Sequence, residues 1–183
     1  MDSESDFALF AAIPWWAQHL RRPRIVTGQP RSRQPKSNAE DTLFAETLKS
    51  QTAISAMLEV YEDLPSPNER IDHIKAFLTL GAGLNGHPGV CHGGLVMAIL
   101  DEVIGMLIPI NQKRKSIPKT VYMTAYLNTT FLKPVPTSAT ILARATITRV
   151  EGRKYFSEGS IENEKGVILA RGEALFVGLK SAL

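Results

Sequence analysis

Apolar positions along this chain follow two rhythms. From Gly93 to Leu107 nearly every residue is apolar, with Asp101 and Glu102 the exceptions. A helix that is apolar on nearly every side must be buried on nearly every side. Beyond it, Val121–Lys133, Thr137–Val150, Lys154–Glu162 and Gly166–Leu179 are rich in Val, Ile, Thr, Tyr and Phe. Turn chemistry at Pro134–Pro136, Glu151-Gly152 and Asn163–Gly166 separates them, which predicts four long antiparallel strands. Before the helix, Ile74, Ala76, Leu78 and Leu80 alternate with Lys75, Phe77 and Thr79, so Ile71–Leu80 reads as another strand. Gly81–Gly89 holds four glycines and a proline and is expected to be a loop or a sharply bent strand end. The fold class expected is α+β: an antiparallel sheet wrapped around one long central helix.

The first sixty residues are less regular. Residues 7–20 read as a short amphipathic helix interrupted near Pro14, and Trp15 and Trp16 are expected to pack on the core or on a partner subunit rather than on a membrane. Residues 21–39 carry three prolines, five arginines and a lysine and read as an extended arm, a solvated connector in preference to a phosphate-binding segment. Residues 40–60 show an imperfect helical face through Leu43, Phe44, Leu48, Ile54, Met57 and Leu58. The division expected is an N-terminal extension over 1–39 (a short helix and the basic arm), then one domain over 40–183 with its core at about 70–180.

Charge changes the picture once it is located. The net charge is +3, but Arg21, Arg22, Arg24, Arg31, Arg33 and Lys36 lie together with no acid among them. Removing those six charges leaves the rest at −3, so the body is mildly acidic and nucleic-acid binding is poorly supported. Cys91 is the only cysteine, which excludes an intramolecular disulfide and fits a reducing, intracellular compartment. It is expected to be a small buried hydrophobe rather than a nucleophile. Acidic residues at positions 2, 4 and 6 argue against a secretory signal. A cytoplasmic location is expected, with a mitochondrial one left open. The apolar stretches on either side of Asp101-Glu102 each look too short to span a membrane, and no stable membrane insertion is expected.

Chemistry concentrates in His92-Gly93-Gly94-Leu95-Val96-Met97-Ala98-Ile99-Leu100-Asp101. The start of a helix presents free N–H groups and partial positive charge to an anion. A carboxylate inside an apolar helix is costly unless paired or used. Oxyanion donors with a stranded acid suggest acyl transfer or hydrolysis. At 1.5 Å rise per residue, Gly93 and Asp101 lie about 12 Å apart along one axis. They cannot both touch one thioester carbonyl, so joint catalysis requires groups from two subunits and at least a dimer. Glu102 points about 100° away from Asp101 and is expected to be solvated or to face a dimer partner. His87 reads equally as a loop residue or a pocket residue. Metal ligation is unsupported, and no cofactor is expected.

These motifs resemble hotdog-fold acyl-CoA thioesterases of the PaaI type. The resemblance rests on Leu84-Asn85-Gly86-His87, on His92-Gly93-Gly94 with Asp101 nine residues after the histidine, and on Val121-Tyr122-Met123-Thr124-Ala125-Tyr126-Leu127-Asn128. It continues through Phe131-Leu132-Lys133-Pro134 and Gly166–Gly172. The Met-Thr-Ala-x-Leu-Asn run is similar to the carboxyl-terminal modulator protein branch, and the first sixty residues bear a vague similarity to fungal members. The resemblance implies Asp101 as general base or nucleophile, and the Gly93 N–H with His92 beside it as the oxyanion hole. It implies Thr124 as the hydroxyl that holds the attacking water. Asn85 matches a family asparagine, displaced here because one more residue than usual separates it from His92. His92 reads as a hydrogen-bonding residue at the helix start in preference to a base.

The function expected is hydrolysis of an acyl-CoA thioester by a homodimer or tetramer. The alternatives are release of a carrier-bound acyl or polyketide chain, and a non-catalytic acyl-binding protein. The presence of both Asp101 and Thr124 weighs against the last. Tyr122, Tyr126 and Phe131 are candidates to shape the acyl tunnel, and alternation sends half of them the other way.

Overall fold

Strand periodicity after residue 70 translates directly into a sheet. The computed structural model describes residues 3–20 and 23–180; Asp2, Arg21 and Arg22, read above as parts of the acidic start and the basic arm, lie outside them. The strands are β1 (Ile25–Gly28), β2 (Ile54–Glu62), β3 (His73–Leu80), β4 (Asn85–His87), β5 (Val90–Cys91), β6 (Tyr122–Phe131), β7 (Ala139–Glu151), β8 (Lys154–Glu162) and β9 (Ile168–Gly178). The helices are α1 (Ser3–Ala11), α2 (Pro14–Ala17), α3 (Gly93–Gly105) and α4 (Leu107–Lys113). Seven strands form one sheet in the order β1-β2-β3-β7-β8-β9-β6, every neighbour antiparallel, and β4 pairs only with β5.

The sheet wraps α3, which packs against β3, β6, β7, β8 and β9 through Val96, Ile99, Leu100, Val103 and Ile104. The helix can approach this closely because β8 carries Gly159: a Cβ there would meet Ile104 at 3.0 Å. The helical run continues to Lys113, further than the sequence implied. Its break at Met106 has a covalent cause, since Pro109 has no N–H to offer the Gly105 carbonyl. Buried Asn111 then ties α4 to the approach to β3. It accepts from the Ile71 N–H at 2.8 Å and donates to the Ile71 and Leu107 carbonyls, each at 2.8 Å.

Two expectations fail at the N-terminal side. Residues 40–60 are not helical: a single turn at Leu43–Thr47 leads into β2. Both faces of β2 are buried, which destroys the alternation that marks a strand. Ile54 and Met57 join the core under α3, whereas Ala56, Leu58 and Val60 face the N-terminal extension. Nor is 21–39 a solvated connector. Ile25–Gly28 pairs with β2, and Arg33 is completely buried, its guanidinium donating to the carbonyls of Phe44 at 3.0 Å and Ile54 at 2.8 Å.

The expectation that the tryptophans pack on the body holds for this layer. Phe10 and Trp16 are fully buried against Phe77, the outward residue of β3, with ring centroids 6.0 and 5.7 Å away. Asp6 on α1 accepts from the Met57 N–H at 3.2 Å, which pins the extension to β2. The extension therefore covers the outer face of the sheet, and the central helix covers the inner face.

Candidate active site

Two clusters hold the residues singled out in the sequence. The first lies at the start of α3. His92 caps the helix: its Nδ1 accepts from the Gly94 N–H at 3.0 Å, which occupies the lone pair that this nitrogen would need to take a proton from water. The Gly93 N–H belongs to the first turn, where no carbonyl of the helix can receive it. The ring of Phe131, at the end of β6, lies over Gly93. Asn85 reaches this cluster through β4, which pairs Asn85 with Cys91, while the His92 N–H donates to the Leu84 carbonyl at 2.8 Å. Gly86 is required here, because a Cβ would fall 2.8 Å from His92 Cα. The Asn85 side chain accepts from the Thr137 hydroxyl. His87 is exposed at the tip of this hairpin.

The second cluster lies two turns along α3. Thr124, at the start of β6, donates its hydroxyl to Asp101 Oδ1 at 2.9 Å. Because β6 runs against the direction of α3, its first residues meet Asp101 and its last meets Gly93. Asp101 is half-buried, and its Oδ2 makes no hydrogen bond among the described residues. One chain thus holds a carboxylate–hydroxyl pair and, about 12 Å along the same helix, an anion-binding helix start.

Of the two expectations for Glu102, the solvated one fails. Glu102 lies half-buried beneath the arm, and burial pushes its carboxyl up to about 7, with Asp41 and Asp101 adding to the rise. Ser32 and Lys36 pull the other way. Asp101 and Glu102 open into a cleft of about 860 Å³. Its walls come from the arm (Gln29, Ser32), from β2 (Glu59), from the end of the helical run (Met106, Ile108) and from β6 and β9 (Tyr122, Phe176). Burial also raises Glu59 to about 7. Sequence reading missed the arm and β2 as walls, since nothing in their local pattern points toward α3. A second cleft of about 480 Å³, between β2, β3 and β7, contains none of the predicted site residues.

Cys91 is buried, and burial alone lifts its thiol to about 11, so it carries no thiolate character at neutral pH. No group of three or more His, Cys, Asp or Glu suited to a metal ion occurs among the described residues. The 21-residue run Gly93–Lys113 is long and apolar enough to cross a membrane, contrary to the split reading at Asp101. It is also the helix around which the sheet wraps.

Residues 88–170 match the family described as Thioesterase superfamily. A relative, acyl-coenzyme A thioesterase THEM4 of Mus musculus, is 32% identical over 100 residues, covering 54% of this chain and 40% of that protein. The chain therefore spans well under half the length of this relative. Verlamelin biosynthesis protein B of a Lecanicillium species is 23% identical over 205 residues, covering 95% of this chain and 88% of its own. Among solved structures, a thioesterase superfamily protein superposes with a TM-score of 0.52 at 28% identity, over 65% of this chain and 55% of that one. The fold is thus the hotdog arrangement expected from the motifs.

Proposed function

We propose, from the match of residues 88–170 to the family described as Thioesterase superfamily, that this chain hydrolyses an acyl-CoA thioester to the free acid and CoA. The observation that carries the reading is the Thr124–Asp101 hydrogen bond. It fixes a carboxylate beside a hydroxyl at the mouth of a cleft, with one carboxylate oxygen free for water. Asp101 takes the proton of that water as it attacks, or attacks the carbonyl itself to give a mixed anhydride. Oxygen-isotope labelling of Asp101 under single-turnover conditions separates the two routes. The oxyanion is held by the Gly93 N–H, a donor of a kind typically worth about 3–4 kcal/mol in the transition state. The CoA thiolate is a good leaving group and needs no strong acid.

The two halves of this machinery sit about 12 Å apart on one helix, so each working site takes Asp101 and Thr124 from one copy and Gly93 from another. The edge of the sheet supports this assembly. Among the described residues β6 has no partner on its outer side, and Val121, Met123, Tyr126, Phe131 and Leu132 are exposed on and around it. A ten-residue apolar edge strand invites a second copy.

The second reading, release of a carrier-bound acyl chain, draws support from the length of the match to a biosynthesis protein, which includes the N-terminal extension. A panel of acyl-CoA and carrier-bound thioesters, read by release of free thiol, tests both. Turnover of CoA esters supports the first reading, and turnover of carrier-bound esters alone supports the second. No turnover of either, by a folded protein, refutes hydrolysis.

A further inference from the structure

We propose that Thr137 is a positioning residue: its hydroxyl holds the Asn85 amide so that the NH2 group serves, beside the Gly93 N–H, as a second donor to the thioester oxygen. This assignment rests on the thioesterase reading of the same helix start. The sequence pattern gives Thr137 no role beyond opening a strand. The structure fastens it to the β4–β5 hairpin instead. The Cys91 N–H donates to the Val135 carbonyl at 2.8 Å, Val90 bridges Pro136, and the Thr137 N–H donates to the Gly89 carbonyl at 3.1 Å. Gly89, with φ +73°, belongs to the turn of that hairpin. The same hairpin pairs Asn85 with Cys91, the residue before His92 and Gly93.

An asparagine amide accepts at its oxygen and donates at its nitrogen, and the torsion that interchanges the two is soft. A free side chain would present either end to the substrate, and the oxygen would repel a developing oxyanion. The Thr137 hydroxyl selects the end, because it donates to Asn85 Oδ1. Thr137 is only 8% exposed, and Asn85 Oδ1 is the one acceptor its hydroxyl proton has among the described residues. A flipped amide would leave that buried proton without an acceptor, which is unfavourable. Asn85 itself is exposed, so its NH2 meets solvent beside the helix start, where a substrate oxygen can take the place of water. Donors fixed before the reaction stabilise an oxyanion without reorganising during it, which gives a purpose to holding this amide.

The test measures thiol release from the thioester that the panel shows turned over fastest, in the full-length protein and in Thr137→Val, Thr137→Ser, Asn85→Ala and Asn85→Asp. Thr137→Val should lower kcat about tenfold or more with KM changed less than about threefold, and Thr137→Ser should keep most of the rate. Asn85→Ala should lose about a hundredfold in kcat. Adding Thr137→Val to it should change kcat less than about twofold, because no amide is left to position. Asn85→Asp still accepts from Thr137 but offers no donor, so it should be as slow as Asn85→Ala with Tm kept. A rate within about twofold of wild type in Thr137→Val or in Asn85→Asp overturns the proposal. So does an equal loss from Thr137→Val with and without the Asn85 amide, which marks a structural role. A wild-type protein that hydrolyses no thioester overturns the hydrolase reading instead. Calorimetry with the ketone analogue of octanoyl-CoA, which carries a methylene between carbonyl and sulfur, then decides the role of Thr137. Binding weakened about threefold or more in both Thr137→Val and Asn85→Ala upholds it, and unchanged binding in Thr137→Val overturns it.

Discussion

Trp16→Ala measures how firmly the N-terminal extension is part of the fold. Trp16 is fully buried between Phe10 and Phe77 on the outer face of the sheet, with ring centroids 6.0 and 5.7 Å away. Truncating a buried tryptophan costs about 3–5 kcal/mol, a large share of the 5–15 kcal/mol typical of a domain. For a chain of this length each kcal/mol shifts Tm by about 2–4 °C, so a loss of about 6–20 °C is expected. Among the described residues Trp16 Nε1 has no hydrogen-bond partner, so Trp16→Phe sacrifices area but no bond and should lose clearly less. Thioester turnover at a temperature well below the transition should change less than about twofold, because the layer lies across the sheet from Asp101. Differential scanning fluorimetry and a thiol-release assay read both quantities. A Tm within about 2 °C of wild type in Trp16→Ala would refute the packed layer.

Thr124→Ala should lower kcat by about ten- to a hundredfold with Tm nearly unchanged, and Thr124→Ser should restore most of the rate; equal rates in all three proteins would remove Thr124 from the site. Asn111→Leu leaves the Ile71 N–H and C=O buried without partners and should cost about 2–4 kcal/mol in urea unfolding; a loss below about 1 kcal/mol contradicts the hydrogen bonds assigned there. The Glu102 carboxyl is raised from 4.5 to about 7 by burial. Between those values the unfolded chain releases a proton that the folded chain keeps, so stability falls as pH rises through that window and is flat above it. Glu102→Gln removes this penalty, and its Tm advantage over wild type should therefore grow from about pH 5 to about pH 8; a difference independent of pH would show that Glu102 ionises freely.

The strands after residue 70 and the central helix were legible because each strand buries one face against α3 and alternates as that requires. β2 was not, because it is sandwiched between the core and the extension, and a strand buried on both faces carries the same apolar run as a buried helix. Phe77 was readable as the outward residue of its strand, but what covers it lies sixty residues upstream. In the site, the spacing of His92, Gly93 and Asp101 was legible because helix geometry converts spacing into distance. Thr124 came from the resemblance, and the Asp101 contact supplies the physical reason for it. The environment of Glu102 was hidden: its neighbours Ser32 and Lys36 come from an arm whose arginines and prolines look like those of any solvated linker.

Sharing of the site between two copies is tested most directly by subunit complementation. Asp101→Asn removes the base, and Gly93→Pro removes the oxyanion N–H. The proline fits the first turn of α3, where His92 already has φ −59° and ψ 133°, a conformation favoured before proline. Each folded variant alone should be inactive. Mixed in equal amounts with subunit exchange verified by mass spectrometry, half the dimers carry one intact site of two, and activity should return to about a quarter of wild type. Mixtures that exchange subunits yet remain inactive would contradict a site built from two chains.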